Sequence, residues 1–151
     1  MITRIDSIIA IVLSVFFVLS SQLPSLLDFQ FLSFDNQEYI GYAMFVLLSI
    51  SMLYPILRQY LSLSVWISRL HIYSSLMLLF LSGLHSVPPA SLITFIMYAL
   101  ILLQGLSIPL HYSFNKQMNV GYVKYWLGFH ILSGGLLFIL ALFHIYTQYY
   151  Y

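Results

Sequence analysis

Two fifteen-residue stretches decide the fold of this chain: residues 71–85, HIYSSLMLLFLSGLH, and residues 130–144, HILSGGLLFILALFH. Each begins and ends on histidine and contains no charged residue. The two stretches align without gaps, and six of their fifteen positions are identical. With their apolar flanks they reach the length of about 20 residues that a helix needs to cross a bilayer. They therefore predict two membrane helices that share one internal pattern.

The composition of the whole chain agrees with a membrane protein. Of its 151 residues, 62% are hydrophobic and only 6% are charged, whereas a soluble domain has about 25% charged residues. A chain of this length predicts one domain, residues 1–151. Basic runs are absent, so nucleic acid is not expected as a partner. Cysteine is also absent, which excludes disulfides, Cys-ligated metal centres and covalently attached c-type haem.

Five segments are apolar enough to cross the hydrocarbon core. They are Ile5–Leu23, Tyr39–Leu57, Trp66–Val87, Ser91–Leu110 and Tyr122–Thr147. Pro88 and Pro89 separate the third segment from the fourth, and the polar stretch Ser113–Gly121 predicts a loop. The first segment resembles a signal peptide, but Asp6 interrupts the positively charged region that a signal peptide would have, and no small-residue cleavage site follows. We therefore expect this segment to be retained as a helix. The predicted fold class is an all-α integral membrane protein, a bundle of five transmembrane helices.

The charged residues predict the direction in which the chain crosses the membrane. In the five-span interpretation all five basic residues lie on one side, and three acidic residues lie on the other. The basic residues are Arg4, Arg58, Arg69, Lys116 and Lys124, and the acidic ones are Asp28, Asp35 and Glu38. Because short cytoplasmic segments are enriched in Lys and Arg, we expect a multi-pass protein of the plasma membrane, with its N-terminus in the cytoplasm and its C-terminus outside.

Four histidines form two pairs with equal spacing. His71 and His85 are fourteen residues apart, as are His130 and His144. In a helix this spacing turns the second side chain by about 40° and moves it about 21 Å along the axis. The two helices are separated by one span and so run parallel. His71 is then expected at the depth of His130, and His85 at the depth of His144, which predicts two bis-imidazole sites between helices 3 and 5.

Small residues lie on the histidine face of both helices. Ser75 and Gly134 follow the first histidine by four positions, and Ser82 and Ala141 precede the second by three. A flat macrocycle lying against a helix needs small residues near its ligand. We therefore predict two b-type haems, one on His71 and His130 and one on His85 and His144, with these four small residues against them. Helix packing is the other interpretation of the small residues.

Other roles for the histidines remain open. Intramembrane histidines also serve proton or ion pathways, or bond to neighbouring helices. Copper or zinc fits less well, because two imidazoles leave such an ion short of ligands.

Two further residues have candidate roles. We call the haem predicted on His71 and His130 the inner haem, and the haem predicted on His85 and His144 the outer haem. Arg69 is a candidate for binding the propionates of the inner haem or lipid headgroups. His111 ends the fourth span. A surface histidine is the favoured interpretation, with propionate, quinone or proton binding as alternatives.

The arrangement resembles the ferric reductase-like transmembrane domain, which is shared by ferric reductases, NADPH oxidases and the haem subunit of a periplasmic methionine-sulfoxide reductase system. In that family the third and fifth helices each carry two histidines at this kind of spacing, which residues 69–85 and 129–144 match. The chain differs in lacking a sixth span and a flavin- and nicotinamide-binding domain. It also resembles the two-haem core of respiratory cytochrome b, although that family's quinone-site signatures are not visible.

Two stacked haems predict an electron-transfer function. The chain has no glycine-rich phosphate loop and no nucleophile constellation, so it is expected to be a subunit of an oxidoreductase rather than a complete enzyme. The preferred prediction is electron transfer between a quinone and a partner redox protein, within a complex of membrane or peripheral redox subunits. One alternative is a reductase subunit that reduces an external acceptor such as a ferric chelate. Another is a haem-free proton-pathway or assembly subunit.

Overall fold

The computed structural model describes residues 2–22, 34–60, 65–85, 91–114 and 120–150. These residues form five helices, which confirms the all-helical prediction. The helices are α1 (Arg4–Gln22), α2 (Phe34–Tyr60), α3 (Val65–His85), α4 (Leu92–Phe114) and α5 (Val120–Tyr150).

The helices follow the predicted segments, with one correction. The predicted loop Ser113–Gly121 is too long, because α4 continues to Phe114 and α5 begins at Val120. A helix that continues beyond the hydrocarbon keeps its backbone hydrogen bonds satisfied within the segment, and the polar side chains there do not oppose it. The predicted boundary at Pro88 and Pro89 lies outside the described residues.

Four helices are long and apolar enough to cross a membrane, which supports a multi-pass membrane protein. Their candidate spans are Arg4–Ser21, Val65–His85, Leu92–Ser113 and Lys124–Gln148. Within the described residues α2 is not among them, so the fifth span stays a prediction. The direction of insertion and the kind of membrane also stay predictions. Large apolar side chains are exposed on the outer faces of the helices, for example Leu132 on α5 and Val12 on α1, as a lipid environment would allow.

The packing places α3 and α5 across from each other. The α3 helix packs against α1, α2 and α4, whereas α5 packs against α2 and α4. Among the described residues, no Cα atom of α3 lies within 8 Å of a Cα atom of α5. The two histidine-bearing helices are therefore held apart, with α2 on one side of the gap and α4 on the other.

An aliphatic layer fills the middle of this gap. Leu48 of α2, Leu78 of α3, Ile101 of α4 and Leu137 of α5 form this layer, and they belong to one buried cluster with Leu79 of α3 and Phe17 of α1. Leu78 and Leu137 each lie seven residues from both histidines of their own helix. In a lipid-facing protein such contacts stabilise mainly through van der Waals packing. The layer separates the two histidine levels.

Glycines let α1 and α4 approach α3 closely. A Cβ atom added to Gly83 would overlap the ring of Phe16 on α1, and one added to Gly105 of α4 would lie 2.7 Å from a methyl carbon of Leu79. The Phe16 ring is itself stacked on Phe80, with 5.9 Å between the ring centroids, which limits its freedom to turn away. Small residues at these positions allow the backbones to pack tightly.

This packing predicts opposite effects for two glycine substitutions. Gly83→Ala should destabilise the protein by about 1–3 kcal/mol through overpacking, which exceeds the gain of about 1 kcal/mol in helix propensity. Gly128→Ala should not destabilise it, because a Cβ atom there meets nothing within 4 Å. Thermal unfolding in one detergent would measure both. A Gly83→Ala protein that melts at or above the temperature of the unsubstituted protein would contradict this account of the α1–α3 contact.

Candidate functional site

The structure brings two of the predicted ligands together across the gap. His71 of α3 and His130 of α5 have ring centroids 6.1 Å apart, and their ring planes are at 89° to each other. Since the two helices have no close backbone approach, the imidazoles reach towards each other from opposite walls of the gap. This is the cross-helix juxtaposition that the sequence predicts for the first pair.

The second pair lies one level away on the same two helices. His85 is at the C-terminal end of α3, fourteen residues from His71, and His144 lies within electrostatic range of it. Both side chains are partly buried. Helix geometry separates the two levels by about 21 Å, with the aliphatic layer around Leu78 and Leu137 between them.

The separation of the first pair suits a shared metal ion. A metal-bound imidazole nitrogen lies about 2.0–2.1 Å from the ion, and the ring centroid lies about 1.1 Å behind that nitrogen, so two rings on opposite sides have centroids about 6.3 Å apart. The observed 6.1 Å is close to this value. In a tetrahedral arrangement the same bond lengths would bring the centroids to about 5 Å. The ring spacing is therefore compatible with two ligands on nearly opposite sides of an ion.

Unpartnered polar atoms concentrate at the same sites. Within the described residues, the buried side-chain nitrogen and oxygen atoms without a hydrogen-bond partner are His71 Nδ1, His85 Nδ1 and Gln37 Oε1. Buried polar atoms are normally hydrogen-bonded. Two of these three belong to the predicted ligands on α3, and the main-chain carbonyl groups of Ser51 and Gln37 on α2 face the imidazoles of His71 and His85.

A glycine leaves space beside His85. A Cβ atom added to Gly41 of α2 would lie 3.5 Å from His85 Cε1 and 3.9 Å from Nε2. The edge of the imidazole that carries Nε2 thus faces α2 at a position with no side chain. A larger residue there would occupy the space next to this nitrogen. The ring spacing of His71 and His130 is compatible with a haem held by two imidazoles, and haem binding at both levels stays a prediction.

Aromatic and hydroxyl side chains hold His71 from α2. Tyr54 stacks on its ring, with 4.5 Å between the centroids and 12° between the planes, and the Tyr54 hydroxyl is 3.2 Å from Ser68 Oγ. Ser74, three residues after His71, forms a buried hydroxyl–hydroxyl bond of 2.8 Å with Ser51. An apolar groove between α2 and α3 borders the same histidine and is lined by Ile50, Leu53, Tyr54, Leu57, Ile67, Leu70 and His71.

His130 is held in a corresponding way from α4. The Gln104 amide nitrogen donates to the His130 carbonyl at 3.1 Å and to Ser133 Oγ at 2.6 Å. Trp126 stacks on the His130 ring, with 6.2 Å between the centroids. Ser133 and Ser74 occupy the same position of the aligned stretches. Each is the third residue after a predicted ligand, and each forms a hydrogen bond to a neighbouring helix.

The predicted small residues all lie on the two ligand helices, but their observed partners are protein groups. Ser75 Oγ donates to the His71 carbonyl at 2.8 Å, and the buried Ser82 donates to the Leu78 carbonyl at 2.7 Å. A Cβ atom on Gly134 would lie 3.4 Å from Met52 Sδ of α2, and Ala141 packs against the aliphatic layer. Their contact with haem stays a prediction.

Arg69 is paired with a carboxylate that the sequence analysis did not identify as its partner. Its Nη1 donates to Asp6 Oδ2 at 3.0 Å, and only 5% of the Asp6 side chain is exposed. Asp6 also accepts bonds from the backbone and hydroxyl of Thr3 at the start of α1, both at 2.7 Å. Arg69 lies two residues before His71, which is about 160° around the helix. The guanidinium is thus directed to α1, and its proposed contact with a propionate stays a prediction.

His111 lies closer to the ligands than a surface interpretation implies. It is partly buried in the last turn of α4, within electrostatic range of His130. No group of three or more His, Asp or Glu residues that could hold a metal ion occurs in the described parts of the chain.

No family model, curated protein or solved structure matches the chain.

Proposed function

We propose that this chain is a di-haem b-type cytochrome subunit that carries electrons across a membrane. The observation that carries the proposal is the meeting of His71 and His130, with ring centroids 6.1 Å apart, on two helices that do not pack against each other. The equal spacing of fourteen residues predicts the same meeting for His85 and His144 on the same helices. A structural histidine pair has no need of two helices held apart, whereas a large prosthetic group does.

The donor set favours haem over a bare metal ion. Each level would offer two imidazoles, whereas zinc or copper sites in proteins need three or four protein ligands. Haem brings four nitrogen ligands of its own, so two histidines at each level would suffice to hold it. The gap between α3 and α5 is bordered by apolar residues such as Leu48, Leu137 and Ile101, which suits an apolar macrocycle.

The residues of the chain supply binding, orientation and exclusion of water. Haem iron, when bound, supplies reversible one-electron chemistry. His71 and His130 hold one level and His85 and His144 the other, about 21 Å apart along the helices. Ser74, Ser133 and Gln104 fix the first turn after each inner ligand. The aliphatic layer keeps water out between the levels.

Electron donor and acceptor complete the proposal. We place a quinone as donor or acceptor on one side and a partner redox protein on the other, within a larger complex. Comparing haem reduction by a quinol with reoxidation by a ferric chelate would separate this assignment from that of a reductase with an external acceptor.

Haem stoichiometry is the decisive experiment. The chain is produced with haem available, purified in detergent and analysed by its reduced-minus-oxidised spectrum and by extraction of the haem into alkaline pyridine. We expect two non-covalent protohaems per chain with the spectrum of six-coordinate, low-spin b-type iron. A purified, folded chain that yields no protohaem would reject the proposal.

A further inference from the structure

We infer that Pro55 is a positioning residue for His71, because it frees the main-chain carbonyl of Ser51 to accept the Nδ1 proton of that imidazole. A neutral imidazole carries its proton on one of its two ring nitrogens, and the hydrogen bond that one nitrogen makes decides the state of the other. With the proton held on Nδ1, the Nε2 nitrogen can act as a ligand. The choice of nitrogen depends on the protein alone, whereas its consequence for the inner haem rests on the proposed function.

Proline in the interior of α2 leaves one carbonyl of that helix without its usual partner. Pro55 lies within the helix, which spans residues 34–60. In an α-helix each carbonyl accepts the N–H of the residue four positions later, and proline has no N–H. Ser51 is the residue four positions before Pro55. Its carbonyl therefore needs a donor from outside its own helix, because a buried backbone acceptor is normally paired.

The α3 helix supplies such a donor at this carbonyl. The Ser51 carbonyl faces the imidazole of His71, and His71 Nδ1 is buried without another hydrogen-bond partner. Two further contacts from the same turn of α2 hold the ring in place. Tyr54 stacks on it with 4.5 Å between the centroids, and the Ser51 hydroxyl is bonded to Ser74 at 2.8 Å. A carbonyl freed by proline and a donor without a partner thus meet where α2 packs on α3.

The corresponding carbonyl at the outer level keeps a partner in its own helix. Gln37 lies fourteen residues before Ser51, and its carbonyl faces the imidazole of His85. The residue four positions after Gln37 is Gly41, which has an N–H. The Gln37 carbonyl does not depend on a proline to reach His85, since a carbonyl oxygen can accept two hydrogen bonds. The effect of Pro55 should therefore be confined to His71.

The test replaces Pro55 with alanine and determines which nitrogen of His71 is protonated. Alanine is the most favourable residue in a helix interior and proline the least, so α2 should form, and its new N–H competes for the Ser51 carbonyl. Heteronuclear NMR of isotope-labelled histidine rings measures the tautomers in the full-length chain without haem, and the signal missing from His71→Ala identifies His71. We expect Nδ1–H in the unsubstituted protein. In Pro55→Ala the tautomer ratio should change about fivefold towards Nε2–H, as the weakening of one ordinary hydrogen bond predicts.

Pro109→Ala is the matched control. It also removes a proline inside a helix, α4, but the carbonyl four positions earlier belongs to Gly105, which packs against Leu79 and Ser14. The His71 tautomer ratio should stay constant in this variant. Protonation of Nε2 in the unsubstituted protein, an unchanged ratio in Pro55→Ala, or the same change in both proline variants would overturn the inference.

The haem-loaded protein gives a second measurement and separates the inference from the proposed function. A weaker acceptor at Nδ1 makes His71 a weaker donor to ferric iron, so the midpoint potential of the inner haem should rise in Pro55→Ala while that of the outer haem stays constant. A fivefold change in the reduction equilibrium is about 40 mV for a one-electron couple. A constant or lower inner potential would overturn the inference. A chain that binds no haem would overturn the proposed function, and the tautomer ratio would then decide the inference alone.

Discussion

Replacing His71 with alanine should lower the haem content from two per chain to one, and replacing His130 should do the same. Each change removes one axial ligand from the inner level and leaves His85 and His144 intact on the other side of the aliphatic layer. His85→Ala and His144→Ala should likewise each remove the outer haem. Pyridine extraction against protein mass measures the stoichiometry, and redox titration shows which of the two potentials is lost.

Double substitutions test the pairing itself. His71→Ala with His130→Ala should retain one haem, because both changes affect the same site, whereas His71→Ala with His85→Ala should retain none. Residues that act at one site are non-additive in this way, and residues at separate sites are additive. His111→Ala is the matched control on α4 and should retain both haems. One haem in the His71/His85 double variant, or none in the His71/His130 variant when all single variants keep one, would contradict the assignment of ligands to pairs.

The approach of His71 to His130 could be predicted from sequence because it depends only on helix geometry. Equal spacings of fourteen residues on two parallel helices fix which side chains share a depth. The observed approach of His71 and His130 follows from that rule. Spacing within one helix also predicted that Ser75 and Ser82 lie on the histidine face. It did not predict their hydrogen bonds to the carbonyls of their own helix, since serine in an apolar helix interior satisfies its hydroxyl locally.

Contacts between helices could not be predicted from the spacing of residues within one helix. Arg69 was predicted to contact a propionate or lipid headgroups, and the structure gives it Asp6 as a partner, 63 residues earlier in the chain. The spacing of residues within α3 does not indicate which helix packs against the face that carries Arg69. The contact of Gln104 with a neighbouring helix could have been predicted, because Gln104 is the one amide side chain between His71 and Asn115. A polar residue in so apolar a stretch is expected to bond to a neighbouring helix.

The role of the α2 helix was the feature that the sequence predicted least. It contributes no predicted ligand, yet Tyr54, Ser51, Gly41 and Gln37 all lie at the two ligands of α3. Their common feature is the antiparallel register between α2 and α3, which becomes visible only when the helices are packed. The sequence thus predicts the four histidines as ligands, and the structure adds the helix whose side chains contact the α3 helix at two of them.

Replacing Gly41 with leucine should remove the outer haem and leave the inner one. The glycine leaves space beside the edge of His85 that carries Nε2, where a Cβ atom alone would come within 3.9 Å of that nitrogen. The remaining carbons of leucine would occupy the space that a group bound to Nε2 needs. The substitution should not weaken α2, because leucine forms helices better than glycine by about 0.8–1 kcal/mol. Haem stoichiometry should fall to one per chain, with the inner potential retained.

Gly128→Leu is the matched control for this change. It makes the same replacement in a helix at a position where an added Cβ atom meets nothing within 4 Å, so both haems should remain. Retention of the inner haem in Gly41→Leu shows that α3 and α5 still assemble, because that haem needs His71 and His130 on opposite helices. Loss of the outer haem alone would then result from obstruction at His85. Two haems in Gly41→Leu would show that Nε2 of His85 does not bind iron on the side of α2, and the outer site would have to be assigned differently.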